Sequence, residues 1–455
     1  MAGFAASTQG RTRRRSMAGA AAAAGLLAGC ASYSPLPLVP TPQLAPSVDR
    51  LAHDQPLPAG PLTVAQVTAL VVLNNPDLRA VRAQHGVAQA QLIQAGVLPN
   101  PLLNLAVLPL LAGVGTTTAW NAALNFNFGA LVTYQTHKEA AQKTVQQVDA
   151  NILWREWLLA GEARLLAVDL IEGQRSVAVL TQSRDLLAVR GQRLETALAA
   201  GNVTLADAAP YLASRQAAQT LLNDLQRRLL AQRHQLNALL GLAPEAVVPL
   251  AGTVDLPPLD PAAIEQDLPN LPHRRPDLVA LQLGYAAQDA KLRTALLSQF
   301  PALTLGVQAG SDNANVRNGG PTASLGLPIF DRNQGGVAIE RATRVQLHEE
   351  YTARLTAAVG DVRARLSEID ATQRQLQQVR ADLPIAEQRA ARAEAALSTH
   401  DIDQRTYVDL VNARLLRAAQ IVSLEQILLE QQVAIATVVG AGLPSIQLPP
   451  QEAPR

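Results

Sequence analysis

Hydrophobic and polar positions follow two different rhythms along this chain. In residues 118–128, apolar side chains alternate with asparagine and alanine, and in 301–309 leucine and valine alternate with threonine, glycine and glutamine. Alternation with a period of two predicts β-strands that have one apolar and one polar face. Along residues 359–397, apolar side chains recur three and four positions apart. That spacing predicts a long helix with a coiled-coil seam.

The same series of predicted elements occurs twice. Each copy opens with Pro-Asp-Leu, at 76–78 and at 276–278, and continues with a helical stretch, two strands and a long helix. A polar break, a second long helix and a Gly-Leu stop follow in both copies. The breaks begin at Gly201 and His400, which are 199 positions apart (400 − 201). We therefore predict an internal duplication. Its divisions are a first repeat at 62–250, a linker at 251–275 and a second repeat at 276–443.

Each repeat is predicted to contain one pair of strands and one pair of long helices. A further helix begins after Thr63, whose side chain suits the N-cap position. Pro384 lies within the second repeat's longest helix and predicts a local kink there. The predicted strands are 101–111, 118–128, 301–309 and 322–329, and the predicted long helices are 129–198, 207–240, 333–397 and 403–439.

These elements predict a mainly α protein with a small antiparallel β part. A helix of about 65 residues reaches about 100 Å, a length for which a globular bundle has no use. The strands are long enough to span a bilayer when tilted. Four strands cannot close a barrel, however, and open edges are not tolerated in lipid. We expect several chains to pool their strands in one transmembrane barrel; the alternative is a small soluble four-stranded sheet.

Composition and charge exclude several classes of function. The 38 basic and 37 acidic residues are balanced, and no basic stripe with aromatics predicts a nucleic-acid partner. After the N-terminus no run of 18 apolar residues predicts a helical membrane span. Phosphate loops, nucleophile elbows and zinc motifs are absent from the sequence, so we predict that the protein is not an enzyme. One cysteine and two methionines predict neither a metal site nor a cofactor.

The N-terminal 29 residues have the pattern of an export signal. Four arginines precede a short apolar segment that ends in Leu-Ala-Gly-Cys at 27–30. This ending resembles the lipobox of bacterial lipoproteins, which implies a covalent lipid on Cys30; ordinary signal cleavage is the alternative. The Pro-rich stretch 30–61 is predicted to be a lipid-anchored tether, and 444–455 a C-terminal tail.

Three features together resemble the TolC-like outer-membrane efflux proteins. They are the lipobox, the duplicated helix–strand–strand–helix unit and the run Pro-Ile-Phe-Asp-Arg-Asn-Gln-Gly at 328–335. The resemblance covers about residues 62–443, and the run is most similar to the heavy-metal branch. The resemblance to the family implies that three chains form one tunnel, with a β-barrel in the outer membrane and a long α-helical barrel in the periplasm. The implied function is the exit duct of a tripartite system for drugs or metal cations.

The resemblance also implies partners and site residues. The partners are a periplasmic adaptor, an inner-membrane RND-type pump and outer-membrane lipid. Asp207 and Arg405 match a constricting polar link, and Asp409 matches a ring acid whose three copies would repel one another. Acid pH is then expected to ease opening. The family's second ring acid is replaced by Asn412, so the ring would carry half the charge. The residues expected to contact the adaptor are Gly201, Asn202, Val203, His400, Asp401 and Ile402.

Simpler interpretations of the same residues remain open. Asp207 could only cap the returning helix, and Asp409 could be one more solvated charge on a helix. For the whole chain, the alternative is a lipid-anchored coiled-coil stalk without a pore. A stalk has no need of strands that are apolar on one face and carry amides on the other.

Overall fold

The structure, a computed structural model, describes residues 33–54, 56–58 and 60–448. Of the N-terminal unit that ends at Leu44, the described residues 33–44 are exposed and form neither helix nor strand. The remainder of the described chain forms the second unit, which contains both repeats. The predicted signal and Cys30 lie outside the described residues.

The first repeat follows the predicted order. Its initial helix, Val64–Asn74, begins with a capping box in which Thr63 and Gln66 exchange side-chain-to-backbone hydrogen bonds. The next helix begins directly at Pro76. Proline suits this position because the backbone N–H that it lacks would have no intrahelical partner there. The elements that follow are a short helix (Pro76–Ala95), strands β1 (Leu102–Leu108) and β2 (Ala119–Asn127), a long helix (Gly129–Ala199) and a return helix (Leu205–Leu240).

The second repeat has the same order after two small helices in the linker region. The helix from Gln334 to Ser398 continues unbroken through Pro384, so the kink there stays a prediction. The elements are small helices (Pro261–Asp267 and Leu271–Arg274), a short helix (Pro276–Leu297), strands β3 (Leu303–Ser311) and β4 (Arg317–Leu325), a long helix (Gln334–Ser398) and a return helix (Gln404–Val439).

Strand β4 begins five residues earlier than predicted and ends four residues earlier. The prediction treated the glycine-rich stretch before Pro321 as a loop, but Gly319 and Gly320 are paired with β3. The actual turn is short because the Asp312 carboxylate accepts hydrogen bonds from the backbone N–H groups of Ala314 and Val316, both at 2.9 Å. The predicted start of β4 was wrong because an edge strand tolerates glycine and proline, which otherwise indicate a loop.

The four strands form one antiparallel sheet in the order β1-β2-β3-β4. Both outer strands have an edge with no partner strand among the described residues. Apolar side chains project from β1 into the surroundings: Leu103 is 63% exposed and Leu105 and Val107 are each 69% exposed. A sheet with two open edges and an exposed apolar strand is incomplete as a soluble structure.

The first long helix lies at the centre of the helical region. It packs against both short helices and both return helices. Small residues allow the close approach: a Cβ atom at Gly161 would lie 2.6 Å from the Thr437 hydroxyl of the second return helix. The indole of Trp157, one turn away, donates a hydrogen bond to the Thr437 carbonyl at 2.8 Å. The two repeats are therefore joined laterally through the first long helix, which contacts two helices of the second repeat.

Within the described chain, one helix could cross a membrane by length and composition alone, the return helix Gln404–Val439. The sequence predicted no such helix, because no uninterrupted run of 18 apolar residues follows the N-terminus. Here the helix packs along the second long helix, and its Ile435 and Val439 share a buried cluster with Val362. The apolar side chains of this helix therefore pack against a neighbouring helix.

Candidate functional site

The ends of the two helical hairpins have the same backbone geometry. In the first tip (residues 200–204), the backbone N–H groups of Gly201 and Asn202 donate to carbonyls of the preceding long helix at 3.0 and 2.9 Å. In the second tip (399–403), His400 and Asp401 repeat this pattern at 3.2 and 2.8 Å. Both turns match the Schellman motif, which satisfies the last carbonyls of a helix. The predicted tip residues therefore lie at the hairpin ends.

Each return helix begins with a side-chain cap that uses a threonine and an aspartate. Thr204 and Asp207 form a capping box at the first tip, and Asp403 accepts the backbone N–H of Thr406 at 2.8 Å at the second. Hydrogen bonds from Thr204 lower the pKa of the exposed Asp207 carboxyl, and the charge of Arg405 lowers it further. Hydrogen bonds from Thr406 lower the pKa of Asp403 in the same way. Both carboxylates are thus stabilised in their ionised form.

Close to the tips, four side chains form what we call the gate cluster: Arg190 of the first long helix, Tyr211 of the first return helix, and Arg405 and Asp409 of the second return helix. The guanidinium of Arg190 lies 3.5 Å from the centre of the Tyr211 ring. Its Nη1 is 3.8 Å from the Asp409 carboxylate, and the Nε of Arg405 is 3.9 Å from the same carboxylate. The Tyr211 hydroxyl lies 3.5 Å from Asp409 Oδ2. The acid therefore has two cations and a phenol beside it in its own chain.

Burial distinguishes the two cations. The Arg190 side chain is only 8% exposed, whereas the Arg405 side chain is 64% exposed. Arg190 Nη1 is buried and has no hydrogen-bond partner among the described residues. A buried guanidinium without a full set of partners is costly unless a neighbouring charge or π-face compensates. Tyr211 supplies the π-face, and Asp409 supplies the charge.

The structure brings together only some of the predicted gate residues. Asp207 caps its helix, and no ion pair within 4.0 Å joins it to Arg405 in the described chain. The constricting link between those two residues therefore stays a prediction for contacts between chains. Arg190 and Tyr211 were missed by the sequence analysis. An arginine on an arginine-rich helix carries no signal of its own, and Tyr211 reads as an ordinary core residue.

Two further contacts connect the hairpins near their tips. The Ser183 hydroxyl donates to the Asn412 side chain at 2.6 Å, and Arg193 donates to Gln404 at 2.5 Å. Both contacts run from the first long helix to the second return helix. Asn412, which stands where a second ring acid was expected, is thus engaged in a neutral hydrogen bond between the repeats.

Comparison with known proteins shows which family this chain is similar to. The profile of the family described as "Outer membrane efflux protein" matches residues 268–441, which span most of the second repeat. The second repeat of this chain is therefore similar to the members of that family. The fold agrees over both repeats. Solved structures with similar folds include the CmeC outer membrane channel of Campylobacter jejuni, with a TM-score of 0.68 at 13% identity, covering 91% of this chain and 95% of that one.

Other relatives extend the agreement. The open-state MtrE outer membrane channel of Neisseria gonorrhoeae has a TM-score of 0.66 at 14% identity and covers 91% of this chain and 99% of its own. In sequence, the cobalt-zinc-cadmium resistance protein CzcC of Cupriavidus metallidurans is 25% identical over 366 residues, 78% of this chain and 84% of the relative.

These findings confirm the predicted fold class and the predicted function as an outer-membrane channel that serves as an efflux exit duct. Members of the family are outer-membrane channels rather than enzymes. The stalk without a pore gains no support from any of the comparisons.

Proposed function

We propose that this efflux channel works as a homotrimer whose three chains share one transmembrane barrel, and that its cargo is metal cations. The observation that carries the proposal is the four-stranded sheet, which has an exposed apolar strand and two edges without a partner among the described residues. In lipid every backbone polar group needs a partner, so the edges of β1 and β4 must pair with strands of other chains. Three copies of the four-stranded sheet give twelve strands, in line with the barrel of three chains that the family resemblance implies.

The choice of metal cations rests on two supports. One is the similarity to a relative named for cobalt, zinc and cadmium resistance. The other is the run at 328–335, which resembles the heavy-metal branch. The described residues contain no group of three His, Cys, Asp or Glu side chains that could hold a metal ion. An exit duct conducts its cargo without holding it, so the metal here is substrate and needs no resident site.

The anchor and the partners belong to the same proposal. Cys30 carries the lipid that fixes the chain to the outer membrane, while the helical barrel extends into the periplasm. The two tips contact the periplasmic adaptor, which links the channel to an inner-membrane RND-type pump. Matching tip geometry at Gly201 and His400 supports this role, because two equivalent tips per chain give an adaptor six similar docking points on a trimer.

We further propose that the gate cluster holds the entrance closed, with Asp409 and Arg405 acting together with Arg190. Asp207 contributes through the helix cap that positions the first return helix. Because Arg190 and Arg405 lie beside Asp409 in its own chain, each acid of the ring that the resemblance implies would have two cations beside it. This arrangement argues against tight cation binding at the entrance, which suits a duct for metal cations.

Conductance in planar bilayers tests the pore, with Cys30→Ala alongside the wild type. We expect large, stable pores from both proteins, since the barrel and not the lipid makes the hole. The absence of pores from both, together with a soluble Cys30→Ala protein, would refute the shared barrel.

Growth tests address the cargo. Deletion of the gene from its host should lower tolerance to cobalt, zinc or cadmium, and the wild-type gene should restore it. Unchanged tolerance to all three metals, with a lowered tolerance to organic drugs, would reassign the cargo without affecting the pore.

A further inference from the structure

A cavity of about 720 Å³ lies between the inter-repeat linker and the helical wall. One side is formed by residues 255–267 of the linker. The other side combines the initial helix near Val64, the first long helix at Arg164 and the second return helix at 432–439. The volume is in the range of sites that hold small organic molecules. The cavity is remote in sequence from the tips and from all four strands.

Most of the cavity wall is apolar. Its aliphatic and proline side chains come from three separate segments of the chain, so the apolar surface surrounds the space instead of forming a single stripe. The main apolar contributors are Val64, Leu256, Pro257, Leu259, Val433 and Val439. A wall of this kind favours a ligand with an apolar body.

Arg164 is the exception in this wall. Its side chain is half-buried, and burial alone lowers the pKa of its guanidinium. In the part of the chain that the structure describes, no carboxylate lies within 4.0 Å of its nitrogens. A cation that has lost solvent without gaining an anion is an unfavourable arrangement that a bound anion would relieve.

The position of Arg164 is fixed by its neighbours. Its guanidinium stacks over the Trp157 ring at 5.0 Å. The indole of Trp157 is itself held by the hydrogen bond to the Thr437 carbonyl. Arg164 and Trp157 lie two turns apart on one face of the first long helix, as their spacing of seven residues requires. The guanidinium is thus held in place before any ligand arrives.

The other charged groups of the cavity already have roles. Arg274 pairs with Asp267, and Asp260 caps the linker helix by accepting two backbone N–H groups at 3.0 and 3.2 Å. Asp255 is exposed at the rim. Arg274 Nε is buried and has no hydrogen-bond partner among the described residues, so it is a second donor available beside Arg164.

We propose that this cavity is a binding site for a small amphiphilic monocarboxylate, with Arg164 binding the carboxylate and the apolar wall enclosing the body of the molecule. A guanidinium matches a carboxylate in planar, two-point geometry. Among the described residues of the cavity, Arg164 is the one cation without an acidic partner, so a single negative charge completes the site. A dianion would place its second charge near Asp255, Asp260 and Asp267, which disfavours a phosphate monoester.

Calorimetric titration of the full-length protein in phosphatidylcholine nanodiscs tests the proposal. The probe is naphthalene-2-carboxylate, and the neutral probe of the same shape is naphthalene-2-carboxamide. Empty nanodiscs correct for partition into lipid. We expect saturable binding of the acid at one site per chain, and an affinity for the amide at least about tenfold lower, since the amide cannot form the charge-assisted pair.

Variants separate the site from general effects on the protein. Arg164→Gln should weaken binding of the acid at least about tenfold, whereas Arg155→Gln, on an exposed position of the same helix, should leave it unchanged. Ala263→Trp, at the exposed side of the cavity wall, should block both probes by filling the space. Circular dichroism and pore conductance verify that each variant is folded and assembled.

Three results would overturn the site. One is no saturable binding in the wild type, as expected if a neighbouring chain fills the cavity. Another is equal affinity for acid and amide, and the third is unchanged binding in Arg164→Gln. None of these results bears on pore formation, so the site and the proposed function fail independently.

Discussion

The two hairpin tips share one backbone and differ in side chains. Position for position, at an offset of 199 (403 − 204 and 406 − 207), Thr204 and Asp207 of the first tip correspond to Asp403 and Thr406 of the second. The hydroxyl and the acid have changed places, yet both helices remain capped. The comparison teaches that the duplication has kept the hydrogen-bond pattern while its residues changed.

The backbone conformation is also kept, but only one tip has a glycine to adopt it. Gly201 and His400 occupy the same left-handed region, with φ of 72° and 61°. A glycine adopts this conformation freely, whereas a side chain with a Cβ atom pays a steric cost. The second tip is therefore the strained one, and it is also the tip whose return helix carries Asp409. At the equivalent position the first return helix has Pro210 (409 − 210 = 199).

The largest effect is expected from a variant that disrupts the gate cluster, because the two repeats differ most there. Arg190→Ala removes a buried guanidinium stacked on Tyr211, and a desolvated cation–π contact is worth about 2 kcal/mol. A change of that size shifts the ratio of open to closed channels about 30-fold. Single-channel recordings in planar bilayers should therefore show a much higher resting open probability.

The duplication supplies the control for this experiment. Arg389 is the equivalent residue in the second repeat (389 − 190 = 199) and is exposed. Arg389→Ala should leave the open probability unchanged. An equal increase in both variants would show that the effect comes from loss of charge and not from the cluster.

Two substitutions, Gly201→Ala and His400→Gly, test whether the left-handed backbone strains the second tip more than the first. Gly201→Ala should destabilise the first tip by about 1 kcal/mol, because alanine gains a Cβ atom in the left-handed region. His400→Gly should instead stabilise the second tip, by less than that amount, since glycine also loses more backbone entropy. Protease nicking at the tips, measured over time, should become faster in the first variant and slower in the second. A change of the nicking rate in the same direction in both variants would contradict the assignment of strain to His400.

One acidic group away from the tips, Glu430, should also make the stability of the protein depend on pH. Burial first, and then the neighbouring Asp169, raises the pKa of Glu430 to about 7. Gln426 donates to both acids, and Arg228 partly offsets the shift. Because the folded protein binds the proton more tightly, stability from this group is full below about pH 4.5 and declines as pH rises through about 7.

Glu430→Gln should remove this dependence. After allowance for solvent screening, we expect the variant to be more stable than the wild type at pH 8 by about 1 kcal/mol, and to differ little at pH 5. Thermal unfolding followed by circular dichroism at both pH values measures the difference. A larger gain in stability over the wild type at pH 5 than at pH 8 would contradict the raised pKa of Glu430.

The smallest effect concerns the two caps. The pKa values of Asp207 and Asp403 are lowered in the folded state, so their stabilisation is present above about pH 4 and is lost as pH falls through the lowered values. Spin labels at Val203 and Ile402 should report greater mobility under acid conditions. Asp207→Asn and Asp403→Asn should flatten the response of their own tip only. A response that survives in the double variant would have another origin.

Sequence reasoning predicted most of the fold because the signals were local. The capping residue Thr63, the helix-starting proline of each short helix and the period-two strands act through neighbours in the chain. Prediction was wrong for β4, whose pairing with β3 outweighs the turn preference of Gly319 and Gly320. Of the candidate gate, Arg405 and Asp409 were predicted and lie together, whereas Arg190 and Tyr211 were not.

By itself the sequence determined the duplication, the lengths of the helices and the positions of the tips, since these depend on periodicity and on residues that begin or end a helix. Only the tertiary structure decided that Arg190 meets Asp409 across 219 positions (409 − 190), and that Arg164 is left without an acid. Both facts depend on which faces of two long helices come together. A repeating apolar seam leaves that rotation and register open, and close packing around single residues such as Gly161 decides it.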